Sequence, residues 1–317
     1  MSNTYFEILR SGINTTIQDC GRNHMYHIGI AVSGAIDQRN FKLANKLVEN
    51  HLNEPVIEFA YQGPLLKLKN NKINFSITGD VIFKIIRNNS KVENGICYRN
   101  YILEKNDQLD IISTKNTAYG YMSVNGGFQL EKIWNSYSIN TKANIGPNNG
   151  KKYSTEDKIF IKNSKLKNIK KIELNYSELS DNIIRVIKGT NFDYFSIKAQ
   201  NQFFNQEFTV TKLADRMGIR LSGYNLENIN KTNIKSEGLV RGAIQVPSDG
   251  NPIIMLSDHG TIGGYPKIGV VISADLDRVG QLTPGSNVTF KEVSLEEAEN
   301  IFKAYNNDTN KYLNECN

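Results

Sequence analysis

Apolar positions along this chain fall in short runs rather than at helical spacing. The clearest block lies between Ser236 and Gln281, where residues 242–247 and 253–256 are short runs dominated by aliphatic and β-branched side chains. Gly, Pro, Asp and Asn bound both runs, which predicts buried strands joined by tight turns. Alternation over residues 4–10 and an extended stretch at 14–19 predict two opening strands. Residues 56–59, 65–68, 73–77, 81–86, 110–112 and 119–124 continue the pattern. A second series comprises 183–189, 208–210 and 288–290. Many short strands at close spacing predict a sandwich or barrel.

Helical spacing is confined to a few segments. Over residues 37–48, Phe41, Ala44, Leu47 and Val48 share one face and Asp37 stands at the N-cap position. Residues 192–204 predict a short amphipathic helix with Phe195 and Phe203 inward. Ser294 followed by Glu297 matches a capping box and opens a C-terminal helix. The polar residues 306–310 predict a loosely ordered tail, and removal of 306–317 is expected to change stability little. The weakly patterned stretch 131–180 separates two β-rich blocks, so the division expected is 1–180 and 181–317.

Composition narrows the function. A chain of 317 residues with 39% hydrophobic content supports two ordinary domains. It contains no apolar run near twenty residues, and its N-terminus lacks the charged flank and apolar core of a secretory signal. A cytoplasmic protein without a membrane role is expected. The net charge is +6, but the lysines are diffuse, with the densest run at 162–171 in a connector. Nucleic-acid binding would need clustered charge with interleaved aromatics, so none is expected. The three cysteines, Cys20, Cys97 and Cys316, are distant from one another, which excludes a disulfide framework and a zinc knuckle. Cys20 reads as a small, partly buried residue.

Several standard catalytic devices are missing. Residues 146–152 (Gly-Pro-Asn-Asn-Gly-Lys-Lys) fall short of a phosphate loop and read as a surface turn. There is no Gly-x-Ser-x-Gly elbow, and His24 and His27 lack a third ligand, so no metal is expected. What remains is polar chemistry in Gly-rich loops. Arg216 and Arg220 offer guanidinium groups suited to carboxylate or phosphate. Asp215 beside Arg216 is a candidate ion pair, leaving Arg220 as the ligand contact. Tyr265 and Lys267 follow the Gly263-Gly264 turn, where lysine can hold an anion and tyrosine can relay a proton. Asp258 and Thr261 flank that turn. Gln245 and Gln281 lie in apolar contexts where an amide must find partners.

These segments carry a resemblance. Residues 214–221 (Ala-Asp-Arg-Met-Gly-Ile-Arg-Leu), 242–247 (Gly-Ala-Ile-Gln-Val-Pro) and 263–267 (Gly-Gly-Tyr-Pro-Lys) occur in that order. Near the start, 16–22 (Thr-Ile-Gln-Asp-Cys-Gly-Arg) and 32–37 (Val-Ser-Gly-Ala-Ile-Asp) join them. Together they resemble the biotin-dependent carboxyltransferase family of the KipA type, over nearly the whole chain. That family includes one component of bacterial 5-oxoprolinase and part of urea carboxylase.

The resemblance implies a mainly β fold of two cyclophilin-like β-barrel domains with a few short helices. It implies a component that helps open 5-oxoproline to glutamate with ATP, the nucleotide being bound or shared by a complex. The partners implied are a KipI-type protein that docks against this chain and a separate LamB/YcsF-type protein. Asp215, Arg220, Tyr265 and Lys267 are then the catalytic candidates. Arg216, Gln245, Asp258, Thr261, Gly263, Gly264 and Gln281 are the substrate-binding candidates. Two other readings are compatible with it: a urea carboxylase-like carboxyltransferase served by a biotin carrier, or a non-catalytic antagonist of a KipI-type inhibitor. The chain departs from the family pattern at Gly260 and Ile262, which replace Gln and Thr, and at Tyr137, which replaces Arg within Gly-Ser-Arg-Ser-Thr. The loop after Gly21-Arg22, expected to be Tyr-rich, reads Asn23-His24-Met25-Tyr26-His27.

Overall fold

The computed structural model describes residues 3–162, 170–177, 181–229 and 233–316. The chain is mostly β and divides into two compact units. The first comprises Met1–Arg22, Ser33–Ser177 and Thr309–Asn317; the second comprises Asn23–Val32 and Glu178–Asp308. Residues 163–169 of the basic connector and 178–180 at the expected boundary lie outside the described residues.

Among the described residues, eleven strands build the first unit. They are β1 (Tyr5–Arg10), β2 (Asn14–Gln18), β3 (Val56–Ala60), β4 (Leu65–Lys69), β5 (Ile73–Thr78), β6 (Val81–Ile86), β7 (Val92–Asn94), β8 (Arg99–Leu103), β9 (Gln108–Thr114), β10 (Tyr119–Val124) and β11 (Lys158–Phe160). One sheet runs β11-β1-β4-β9-β6-β7 and the other β2-β3-β10-β5-β8. Phe6, Ile8, Leu66, Phe83 and Leu109 from the first sheet meet Ile57, Phe59, Phe75, Ile77 and Met122 from the second in one buried cluster. The two-residue strand period explains this, since alternate side chains of each strand reach the shared core.

The opposite face of β5 and β10 carries helix α1 (Gln38–Leu47). Asp37 caps it, its carboxylate accepting the Asn40 N–H at 2.9 Å. The seam beneath is polar: Ser76 Oγ donates to the Ala44 carbonyl (2.6 Å), Thr78 Oγ1 to the Asn40 carbonyl (2.8 Å) and Ser123 Oγ to Asn45 Oδ1 (2.7 Å). Each hydrogen bond contributes on the order of 1 kcal/mol, and each hydroxyl would cost more if left unpaired.

The second unit is built on a closed barrel. Its strands are β12 (Ile183–Lys188), β13 (Phe208–Ala214), β14 (Gly218–Ser222), β15 (Glu237–Gly238), β16 (Ala243–Gln245), β17 (Ile253–Met255), β18 (Ile262–Gly263), β19 (Lys267–Val271) and β20 (Asn287–Glu292). The barrel order is β12-β19-β16-β17-β14-β13-β20, closed by parallel pairing of β20 with β12. Closure removes the exposed edges that an open sheet would carry. β15 and β18 form a separate two-stranded ribbon. Helix α2 (Ile197–Asn205) packs on β20, with Phe203 stacked on Phe290 at a centroid distance of 4.4 Å. Phe195 is buried as expected, but it precedes the helix, which starts only after the Ser196 cap. A short helix, α3 (Leu276–Gly280), precedes β20.

The C-terminal helix α4 (Leu295–Glu315) begins with the expected box: Glu297 N–H donates to Ser294 Oγ (3.1 Å) and Ser294 N–H to the Glu297 carboxylate (2.7 Å). The loose tail expected after it does not occur. Residues 306–310 are helical, and Leu313 and Cys316 are buried against Leu43, Leu47, Tyr98, Ile172 and Leu174. The stripe Thr309, Leu313, Cys316 lies at helical spacing and explains why a polar stretch is held in place. Among the described residues no helix is long and apolar enough to cross a membrane.

Candidate functional site

The turn between β13 and β14 sets the first part of the site. Asp215 is exposed, and its carboxylate accepts the Met217 N–H at 2.8 Å, tightening the turn. Arg216 is buried and forms a two-pronged contact with the buried Asp258, Nε to Oδ2 at 2.8 Å and Nη2 to Oδ1 at 3.1 Å. The Asp258 N–H also donates to the Arg216 carbonyl at 2.8 Å. The sequence points to Asp215 as a partner of Arg216; the two-pronged contact of the guanidinium is made with Asp258. Arg220, on β14, pairs with Asp249 in the turn before β17, and that pair is part-exposed.

The second part surrounds Lys267. Burial covers its stem, and its ammonium donates to the carboxylate of Glu237, which is half exposed. Gln245 lies opposite Lys267 in the β16–β19 register. Its Nε2 donates to the Tyr265 carbonyl at 3.1 Å. Gly263, paired with Glu237 in the ribbon, lies against the Gln245 amide, since a Cβ there would stand 2.6 Å from Nε2. The structure therefore brings Lys267, Gln245, Gly263 and Tyr265 together and adds Glu237, which sequence reading missed. Tyr265 is 39% exposed. Thr261 is buried and its carbonyl accepts the Leu239 N–H at 2.9 Å. The Gly264 carbonyl accepts the Ile234 N–H at 2.8 Å. Gln281 is buried at the end of α3, where its N–H donates to the Arg278 carbonyl at 3.0 Å.

A histidine completes the loop. His259 is buried beside Asp258, and its Nδ1 stands 2.5 Å from the Gly260 carbonyl. A carbonyl only accepts, so Nδ1 carries the proton and Nε2 is the acceptor. The Tyr26 hydroxyl donates to that Nε2 at 3.1 Å. Burial pushes the His259 imidazole below its ordinary value, so it is neutral near pH 7. Tyr26 belongs to the 23–32 segment, which groups with the second unit. The only sequence signals are the Asp-His-Gly triplet and a tyrosine in a histidine-containing loop.

The departures from the family pattern have local explanations. Asp19 is buried and its carboxylate accepts four bonds, from Ser136 Oγ (2.7 Å), Ser138 Oγ (2.6 Å), Gly21 N–H (2.8 Å) and Tyr137 N–H (2.7 Å). The two retained serines hold Asp19, and position 137 contributes only its backbone to it. The Tyr137 ring sits under the Lys132 ammonium, 5.3 Å from the ring centroid. Gly260 is roomy, since a Cβ there would meet only the Ile262 carbonyl oxygen at 3.4 Å. Ile262 is exposed. Cys20 is exposed rather than partly buried, and local desolvation followed by the charge of Asp19 pushes its thiol upward, away from reactivity.

Comparison with known proteins adds a consistent set of relatives. The family description "Carboxyltransferase domain, subdomain A and B" matches residues 28–292. The C-type subunit of 5-oxoprolinase from Haemophilus influenzae is 32% identical over 296 residues, covering 93% of both chains. The protein of the same name from Escherichia coli is 29% identical over 92% of both. Among solved structures, the urea amidolyase of K. lactis superposes with a TM-score of 0.88 at 25% identity, covering 98% of this chain and 20% of that one.

Proposed function

This chain belongs to the carboxyltransferase family of subdomains A and B, and we propose that it is the C-type subunit of a 5-oxoprolinase. Its similarity to relatives named as the C-type subunit marks it as part of a multi-subunit enzyme. The observation that carries the reading is the 32% identity along 93% of both chains with a protein of that name. The urea amidolyases are matched over only about a fifth of their own length.

The proposed reaction converts 5-oxoproline, ATP and water to glutamate, ADP and phosphate. The substrate carries a carboxylate and a ring amide, so it needs a cation and a polar pocket of fixed donors and acceptors. Arg216 is committed to Asp258 in a buried pair, and exchanging that partner would strand a carboxylate. Lys267 is the better anion contact. Its stem is fixed by burial, while its partner Glu237 is half exposed and can swing to solvent when a substrate carboxylate arrives. Gln245, whose Nε2 is held by the Tyr265 carbonyl, offers its amide oxygen. Tyr26 and His259 form a neutral hydrogen-bonded pair: burial raises the phenol and lowers the imidazole, so each keeps its neutral form and the pair offers fixed polar groups rather than charge. Residues 146–152 form a turn without the hydroxyl residue that follows the lysine of a phosphate loop.

A KipI-type protein and a LamB/YcsF-type protein are the proposed partners. Co-expression with a tag on this chain tests them. Stoichiometric recovery of both is expected; recovery of the tagged chain alone in the presence of both contradicts the reading.

A further inference from the structure

The first unit holds a cavity of about 1040 Å³ that plays no part in the site around Lys267. Its walls come from the β4–β5 turn at Lys72, from β5 at Asn74, from the turn at Asn88, from β8 at Arg99, and from Lys170 and Lys171. Pockets of roughly 300–1,000 Å³ take molecules of drug or nucleotide size.

Two independent features point to what enters it. The first is charge. Arg87 is held by Asp107 and Glu93, and Arg99 by Glu173. Lys72, Lys170 and Lys171 have no ion-pair partner among the described residues and line one opening; the carboxylates lining it are Asp107, which Arg87 holds, and Glu104, so the net charge of the lining stays positive. The second is a buried acceptor. Asn74 stands between Ile73 and Phe75, which face the core, so it points to the other side of β5. It is 1% exposed, yet its Oδ1 has no hydrogen-bond partner. Leaving a buried acceptor unmade is unfavourable, and native structures rarely keep one without a reason. Arg99 Nε is likewise buried and unmade in the same wall.

We propose that this cavity binds a phosphate-bearing small molecule of nucleotide size. The phosphate lies among Lys72, Lys170 and Lys171, and an N–H or O–H of the remainder donates to Asn74 Oδ1. A phosphate carries close to two negative charges at neutral pH, which suits three lysines better than a single carboxylate does. The basic connector at 162–171, unassigned by the family resemblance, thereby acquires a role at its C-terminal end. The proposal is independent of the reading of the Lys267 site.

Isothermal titration of the full chain at low salt with ADP, ribose 5-phosphate and pyrophosphate tests it. The account expects binding of ADP or ribose 5-phosphate, weakened at least tenfold by Lys72→Glu and by Lys171→Glu, both surface changes that leave the melting temperature in place. It also expects at least a tenfold loss in Asn74→Leu for the same probe, with pyrophosphate, which has no remainder to reach Asn74, binding more weakly. The relative strength of ADP and ribose 5-phosphate distinguishes a nucleotide from a sugar phosphate. No binding of any probe, or binding unchanged in the lysine variants, overturns the proposal. Parental binding in Asn74→Leu overturns the assignment of the acceptor.

Discussion

The guanidinium of Arg216 lies fork to fork against the carboxylate of Asp258, at 2.8 and 3.1 Å, with both side chains out of solvent. The two residues are 42 positions apart, and the pair ties the β13–β14 turn to the Gly-rich loop that carries His259 and Gly263. Removing one partner from such a pair leaves a buried charge uncompensated. Asp258→Ala should therefore cost about 3–5 kcal/mol. Asp249→Ala, which breaks the part-exposed pair with Arg220, should cost no more than about 1 kcal/mol. Urea denaturation of the two variants checks the ranking, and equal losses would contradict it.

His259 makes stability depend on pH. Its imidazole sits below the ordinary value of 6.5 in the folded chain because of burial. As pH falls through 6.5, the unfolded chain takes up a proton that the folded chain refuses, so stability falls. The loss levels off once pH drops below the lowered folded value. His259→Gln should flatten this part of the stability profile, read from denaturation midpoints between neutral and mildly acidic pH. An unchanged slope in the variant would assign the acid sensitivity elsewhere.

Gly263 leaves room for the ends of two buried side chains, and its backbone conformation is open to other residues. A Cβ there would stand 2.6 Å from Gln245 Nε2 and 2.7 Å from Leu239 Cδ1. Gly263→Ala should displace the Gln245 amide from the Tyr265 carbonyl and cost about 1–3 kcal/mol through overpacking. Activity of the assembled enzyme should fall with it. Gly260→Ala is the control, since its Cβ meets only one oxygen at 3.4 Å. Loss of activity in the control with none in Gly263→Ala would reverse the assignment.

The end of α4 is part of the first unit's core. Leu313→Ala should cost about 2 kcal/mol or somewhat more, the lower end for a buried leucine, and deletion of 309–317 should cost more still. Thermal melting checks both. A deletion variant that melts with the parent would restore the view of these residues as a dispensable tail.

Much of this fold is written in local pattern. The alternation in Ile73-Asn74-Phe75-Ser76-Ile77 places β5 and its two faces, and Asp37 and Ser294 announce the helices they cap. Strands β7 and β8 were not legible, because Asn, Arg and Glu are prominent in them and their pairing is decided by neighbouring strands. The ribbon of β15 with β18 has two residues on each side, too few for any period. The C-terminal stripe of Thr309, Leu313 and Cys316 was present in the sequence but masked by the asparagines around it. In the site, the loop glycines, Lys267 and Gln245 were legible as types. Their partners were not: Glu237 meets Lys267 across 30 positions and Tyr26 meets His259 across 233. Long-range pairing of that kind is set by the fold and leaves no local trace.

The central claim is that this chain is a necessary component of a 5-oxoprolinase. The direct measurement is glutamate release from 5-oxoproline and ATP by purified components mixed together and with each omitted in turn. The account predicts turnover with this chain, the KipI-type protein and the LamB/YcsF-type protein present. It predicts loss to background when this chain is left out, and loss with Lys267→Met in its place. Full turnover without this chain, or turnover by this chain alone, would contradict it.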